Sequence, residues 1–113
     1  MAIKIRFLGT TLPLSWIEAA DAVIVYVEYR CAPQVQGARI VIDWYAGLCW
    51  ASEHIKKLDV HPGRRMVAGW SGDGGLAAGT SLPAQDWKGP KLCAQFLVCL
   101  TLDDKSITTS SKQ

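Results

Sequence analysis

Ser71 lies in the run Gly69-Trp70-Ser71-Gly72-Asp73-Gly74-Gly75, between a short apolar stretch and a segment of helical character. A strand, then G-x-S-x, then a helix is the setting in which a serine becomes a nucleophile. The tight turn lifts its hydroxyl above a sheet, and the glycines keep neighbouring atoms out of the way. The next backbone N–H, that of Gly72, points where an oxyanion would form, and the helix N-terminus adds a field that favours negative charge. The same glycines admit a rival. Gly72-Asp73-Gly74-Gly75-Leu76-Ala77 fits the dinucleotide pattern G-x-G-x-x-A, which also wants an acid at the end of the next strand. Asp103 and Asp104 stand farther along than the usual ~20 residues. A third reading is that the glycines only let a helix and a strand pack closely. On these residues alone all three stay open.

A serine nucleophile needs a base, and the chain has two histidines. His54 falls near the end of a helical pattern among charged residues, which reads as a solvated face. His61 falls in the turn ahead of the nucleophile strand, away from the end of the sheet where Ser71 would stand. The four cysteines, Cys31, Cys49, Cys93 and Cys99, form no C-x-x-C pair and no spacing with the histidines that suits zinc. Their apolar surroundings suggest buried free thiols. No metal and no cofactor is expected.

These residues must be positioned by strands and helices. Ile3 to Leu8 is a candidate strand, closed by Gly9-Thr10-Thr11, and Leu14 to Ala20 a short helix with Pro13 suited to its start. Ala22 to Tyr29 (AVIVYVEY) is the clearest strand, and its near-continuous apolar character suits burial on both faces of a parallel sheet. From Ala38 to Leu58 the apolar residues Val41, Tyr45, Leu48 and Ile55 recur at helical spacing, with Lys56 and Lys57 in the last turn. Arg65 to Ala68 gives a short strand, and Leu76 to Gln85 a helix that Pro83 should end or kink. Leu92 to Leu100 (LCAQFLVCL) is a further buried strand. Strands alternating with helices make the fold class α/β, with a short, mostly parallel sheet of three or four strands flanked by helices. The expected order places Ala22–Tyr29 outermost, then Ile3–Leu8, Arg65–Ala68 and Leu92–Leu100.

The totals agree with one globular unit. Of 113 residues, 50% are hydrophobic and 19% charged, so the chain is neither disordered nor large enough for two domains. The net charge of +2 is spread along the chain, which argues against nucleic acid as a partner. No apolar run approaches the ~20 residues of a membrane span. Lys4 and Arg6 ahead of Phe7 and Leu8 suggest a leader only faintly, because Gly9, Thr10, Thr11, Pro13 and Glu18 interrupt the apolar stretch. A cytoplasmic protein is expected, with secretion left open. Residues 1–104 are read as the domain and 105–113, polar and rich in Ser and Thr, as a flexible tail.

Read together, the flanks of Ser71 carry a resemblance. Val27-Glu28-Tyr29-Arg30-Cys31-Ala32-Pro33 resembles the V-x-Y-R-L-A-P segment of the α/β-hydrolase fold-3 esterases, the hormone-sensitive-lipase-like family. Asp43, Tyr45, Ala46, Leu48 and Trp50 fit its D-x-Y-A-A-L-x-W helix. Val60, Pro62, Arg64, Val67, Ala68 and Gly69 fit its strand approach. Ser71, Gly74, Leu76, Ala77 and Ala78 fall on G-D-S-A-G-G-N-L-A-A. Gly89-Pro90-Lys91-Leu92 and Leu102-Asp103-Asp104 are similar to the next strand and loop, in the style of fungal members. The resemblance implies a partial α/β-hydrolase core and a carboxylic-ester hydrolase acting on a small ester. In it Ser71 is the nucleophile, with Gly72 in the oxyanion hole.

The departures shape what to expect. The second glycine of the family's G-x-S-x-G is Asp73 here, which crowds the elbow and sets an anion two residues from the nucleophile. The H-G-G-G that completes the family's oxyanion hole corresponds to Leu8-Gly9-Thr10-Thr11, leaving Gly9 and the Thr10 N–H. The family's acid and histidine belong to strands beyond the matched segment, so the chain is expected to be truncated and catalytically impaired. Loss of triad members typically leaves only ~10³–10⁴-fold catalysis over water. The alternative is a non-catalytic remnant acting as an interaction module; a nucleotide-binding domain comes third. Leu92–Leu100 would be an open edge, where self-association is expected.

Overall fold

A computed structural model describes residue 17 and residues 19–31, 33–35 and 37–102. The expected strand at Ile3–Leu8, the oxyanion candidates Gly9 and Thr10, most of the helix expected at Leu14–Ala20 and the tail 105–113 lie outside the described residues.

The elements follow in the order α1 (Arg39–Glu53), α2 (Ile55–Leu58), β1 (Met66–Trp70), α3 (Gly72–Asp86) and β2 (Ala94–Val98). β1 and β2 pair in parallel, with Val67 opposite Gln95 and Trp70 opposite Val98. A parallel pair needs a crossover, and α3 supplies it. The α/β class and the parallel sheet are therefore as expected, with two strands among the described residues.

Val67 turns inward from β1 and is buried, while Met66 and Trp70 on the opposite face are 51% and 52% exposed. The buried side meets α3, whose inward stripe is Gly74, Ala77, Thr80 and Ala84. These small residues recur at three- and four-residue spacing and let the helix lie close on the strand. Ala77 and Thr80 are fully enclosed, and the Thr80 hydroxyl donates to the Leu76 carbonyl at 2.8 Å. Behind α3 stands α1. A Cβ on Gly79 would lie 3.2 Å from Val41 of α1, so the absence of a side chain there sets how closely the helices approach. The Ala38–Leu58 helix thus packs against α3 rather than on the sheet, and it breaks at His54 into α1 and α2. Asp59 ends α2 with a left-handed φ of 52°.

Ala22–Tyr29 forms no strand with the described residues, and Ile3–Leu8, the strand expected beside it, lies outside them. It runs alongside α1, with Val23 and Tyr26 50% and 52% exposed rather than buried. Its packing explains this placement. Val27 occupies the space a Gly47 side chain would need, the Tyr29 ring lies 5.8 Å from that of Trp44, and Arg30 forks onto Asp43. The contacts that Ala22–Tyr29 makes with the described residues include this helix. Pro83 does not end its helix at once; α3 runs three residues further, to Asp86. The cysteines are free, but Cys93 and Cys99 are exposed and Cys31 and Cys49 only partly covered. Cys93 and Cys99 flank the five-residue strand β2, whose outer side carries no layer among the described residues.

No helix among the described residues is long and apolar enough to cross a membrane.

Candidate functional site

β1 delivers the chain to Ser71 and α3 takes it away. Ser71 stands as the N-cap of α3 with φ 54° and ψ −120°, a conformation that L-residues seldom adopt. Such strain persists only where the surroundings over-determine it. Here they do. The Ser71 N–H donates to the Val98 carbonyl at 2.8 Å, and the Ser71 carbonyl accepts from the N–H groups of Thr101 and Gly75, each at 3.3 Å. The residue is exposed, and among the described residues no side chain hydrogen-bonds its hydroxyl.

The glycines around it are needed for different reasons. A Cβ on Gly69 would come 2.6 Å from the Gly74 nitrogen and overlap the Asp73 carbonyl. One on Gly74 would press on Leu100 at 2.9 Å, and one on Gly75 would overlap the Thr101 carbonyl. A Cβ on Gly72 would meet nothing within 4 Å. So Gly69, Gly74 and Gly75 let the turn close, while Gly72 leaves open space beside the serine. The Gly72 N–H is the first of the helix's unshared donors, directly after the hydroxyl-bearing residue.

Asp73 occupies the first turn of α3 and is the one acidic residue there. Its Oδ1 accepts a hydrogen bond from the Tyr29 hydroxyl at 2.5 Å. Burial, then the bond to Asp73, pushes the Tyr29 phenol well above the ordinary tyrosine range. The anion expected to crowd the elbow is therefore tied to the segment 22–31. Sequence reasoning placed Asp73 and set Tyr29 on the V-x-Y-R-L-A-P segment, but missed the contact between them.

Neither histidine comes to the serine. His54 donates from Nδ1 to the Trp50 carbonyl at 2.9 Å and stacks on the half-exposed Trp50 ring. His61 accepts from the Gly63 N–H at 3.0 Å, in the turn before β1. β1 has five residues, so His61 and Ser71 are separated by a strand about 16 Å long. Of two shallow hollows, one lies between α3 and Thr101–Leu102 and the other between residues 25–28 and α1; Ser71 lines neither. Among the described residues no group of three His, Cys, Asp or Glu could hold a metal ion. The acids Asp103 and Asp104 that the dinucleotide reading requires lie outside the described residues.

The chain is similar to known proteins along most of its length. The alpha/beta hydrolase fold family matches residues 10–113. The esterase LipI of Mycobacterium tuberculosis is 37% identical over 78 residues, covering 69% of this chain and 24% of that protein. The arylesterase of Saccharolobus solfataricus is 31% identical over 125 residues, covering 97% of this chain and 40% of its own length. Among solved structures, a bacterial heroin esterase superposes with a TM-score of 0.71 at 41% identity, over 76% of this chain and 27% of that one. The chain thus spans between about a quarter and two fifths of the length of these relatives. They give no support to the fungal style read into Gly89–Asp104.

Proposed function

This chain belongs to the alpha/beta hydrolase fold family, and from that premise we propose that it carries the nucleophile segment of a carboxylic-ester hydrolase. Ser71 attacks the carbonyl carbon of a small ester, and the Gly72 N–H receives the charge that develops on the carbonyl oxygen. The observation that carries the reading is the strained Ser71 backbone, φ 54° and ψ −120°, between β1 and α3. A packing turn has no need of strain at a serine, whereas a nucleophile elbow does. The esterase relatives support the ester as substrate class. By resemblance, Gly9 and the Thr10 N–H complete the oxyanion hole.

Attack requires a base to take the Ser71 proton, and later an acid to protonate the alcohol that leaves. Neither His54 nor His61 is placed for this, so the activity of these residues alone is impaired. Hydrolysis of p-nitrophenyl acetate and labelling by a fluorophosphonate, each beside Ser71→Ala, test the reading. Labelling that vanishes in Ser71→Ala supports it. A serine that never reacts, also within any longer protein that includes this segment, refutes it.

A second reading is a non-catalytic remnant that serves as an interaction module. It is favoured by Asp73 at the family's glycine position and by the partly exposed apolar side chains of Met66, Trp70 and Phe96. The open edge of β2 would then pair with another chain. Sedimentation at micromolar concentration tests this, since a monodisperse monomer contradicts it.

A further inference from the structure

Three separate pieces of chain meet at the elbow, and Tyr29 is where they join. The segment holding Tyr29 is fastened to α1 twice. Arg30 contacts Asp43 through Nε at 2.9 Å, through Nη2 at 2.7 Å and through its backbone N–H at 3.2 Å, and the Tyr29 ring leans on Trp44. From this fixed base the Tyr29 hydroxyl reaches the Asp73 carboxylate, 44 residues along the chain. Asp73 is the second residue of α3, one after Gly72 and two after Ser71. A carboxylate in the first turn of a helix is drawn to the unshared N–H groups of that turn. Those are the groups an oxyanion on Ser71 would use.

Resting on the reading of Ser71 given above, we propose that Tyr29 is a positioning residue. Its hydroxyl holds the Asp73 carboxylate off the helix end, so that the Gly72 N–H stays open to an oxyanion. Tyr29 does not touch the reacting atoms; it acts through Asp73. The family pattern needs no such restraint, because it has glycine at this position. Here the extra carboxylate and the phenol that restrains it belong together. The partial burial of Tyr29, which keeps its hydroxyl protonated and donating, fits the role.

The test uses the chain as it stands, with Tyr29→Phe, Asp73→Ala and the double variant. The first measurement is the Gly72 amide proton and nitrogen resonance, which needs no reactive serine. Tyr29→Phe should shift it as the carboxylate turns onto the helix end, and the same change made beside Asp73→Ala should not. The second is the rate of fluorophosphonate labelling at Ser71. Tyr29→Phe should slow it roughly tenfold, short of the ~10²–10³ for loss of an oxyanion donor, and adding Asp73→Ala should restore it. A merely structural Tyr29 would give equal losses with or without Asp73, and that result, or an unmoved Gly72 resonance in Tyr29→Phe, overturns the proposal. A coupled shift at Gly72 with no labelling in any variant, here and within any longer protein that includes this segment, upholds the role of Tyr29 and removes Ser71 as nucleophile.

Discussion

The Ser71 N–H donates to the Val98 carbonyl at 2.8 Å, so the elbow that follows β1 is also tied to the end of β2. With Ser71 opposite this anchor and its carbonyl held by Thr101 and Gly75, the backbone cannot relax to negative φ without breaking bonds to both neighbours. The strain is thus maintained by β2 and the residues after it, and the geometry of Ser71 depends on the pairing of β1 with β2.

It follows that Ser71→Gly should stabilise the fold while ending its chemistry. Glycine adopts positive φ without the penalty a side chain incurs, a difference of about 1 kcal/mol. Urea unfolding should show a higher midpoint for Ser71→Gly than for Ser71→Ala, with neither labelled by a fluorophosphonate. Equal midpoints would mean that the φ of 54° carries no strain.

Two glycines three residues apart, Gly69 in β1 and Gly72 in α3, should respond oppositely to the same replacement. Gly69→Ala puts a methyl group against the Asp73 carbonyl and the Gly74 nitrogen, backbone atoms that cannot step aside. Overpacking of this kind costs roughly 1–3 kcal/mol. Gly72→Ala meets open space in the first turn of α3, where alanine is the better helix former. Thermal unfolding should fall for the first and hold or rise for the second. A loss at Gly72 equal to that at Gly69 would refute the assigned geometry.

How far these features were legible in the sequence differs by element. The elbow could be read because its demands are local: glycines that admit close approach, then a helix, fix residue types at fixed spacing. β1, β2 and their parallel pairing followed from the same alternation of strand and helix. The packing of Ala22–Tyr29 on α1 could not be read, because an apolar β-branched run says that a segment packs and not against what. Its partners, Trp44, Gly47 and Asp43, are set by tertiary contact. The Tyr29–Asp73 bond spans 44 residues and has no local pattern to betray it.

The cysteines offer a test of surface against sequence. Cys93 and Cys99 are exposed on either side of β2, while Cys31 and Cys49 are partly covered. A thiol's reaction with an aromatic disulfide reagent follows access as well as ionisation. In native protein two thiols should react quickly and two slowly, and Cys93→Ser with Cys99→Ser should remove the fast phase. Four equal rates would contradict the covering of Cys31 and Cys49.

The Arg30–Asp43 pair gives a pH dependence whose sign is fixed. Hydrogen bonds from the Arg30 guanidinium, then from its backbone N–H, lower the Asp43 carboxyl to about 2, against an ordinary aspartate near 4. A folded-state value below the unfolded one means the carboxylate favours folding at any pH above about 4. That contribution is lost as pH falls from about 4 through about 2. Arg30 stays charged throughout, and because the pair is exposed to solvent the effect is also screened by salt. Asp43→Asn should unfold at lower urea than the unmodified chain at pH 6, and the two midpoints should converge toward pH 2. A gap that is the same at pH 6 and pH 2 would show that Asp43 acts through shape rather than charge.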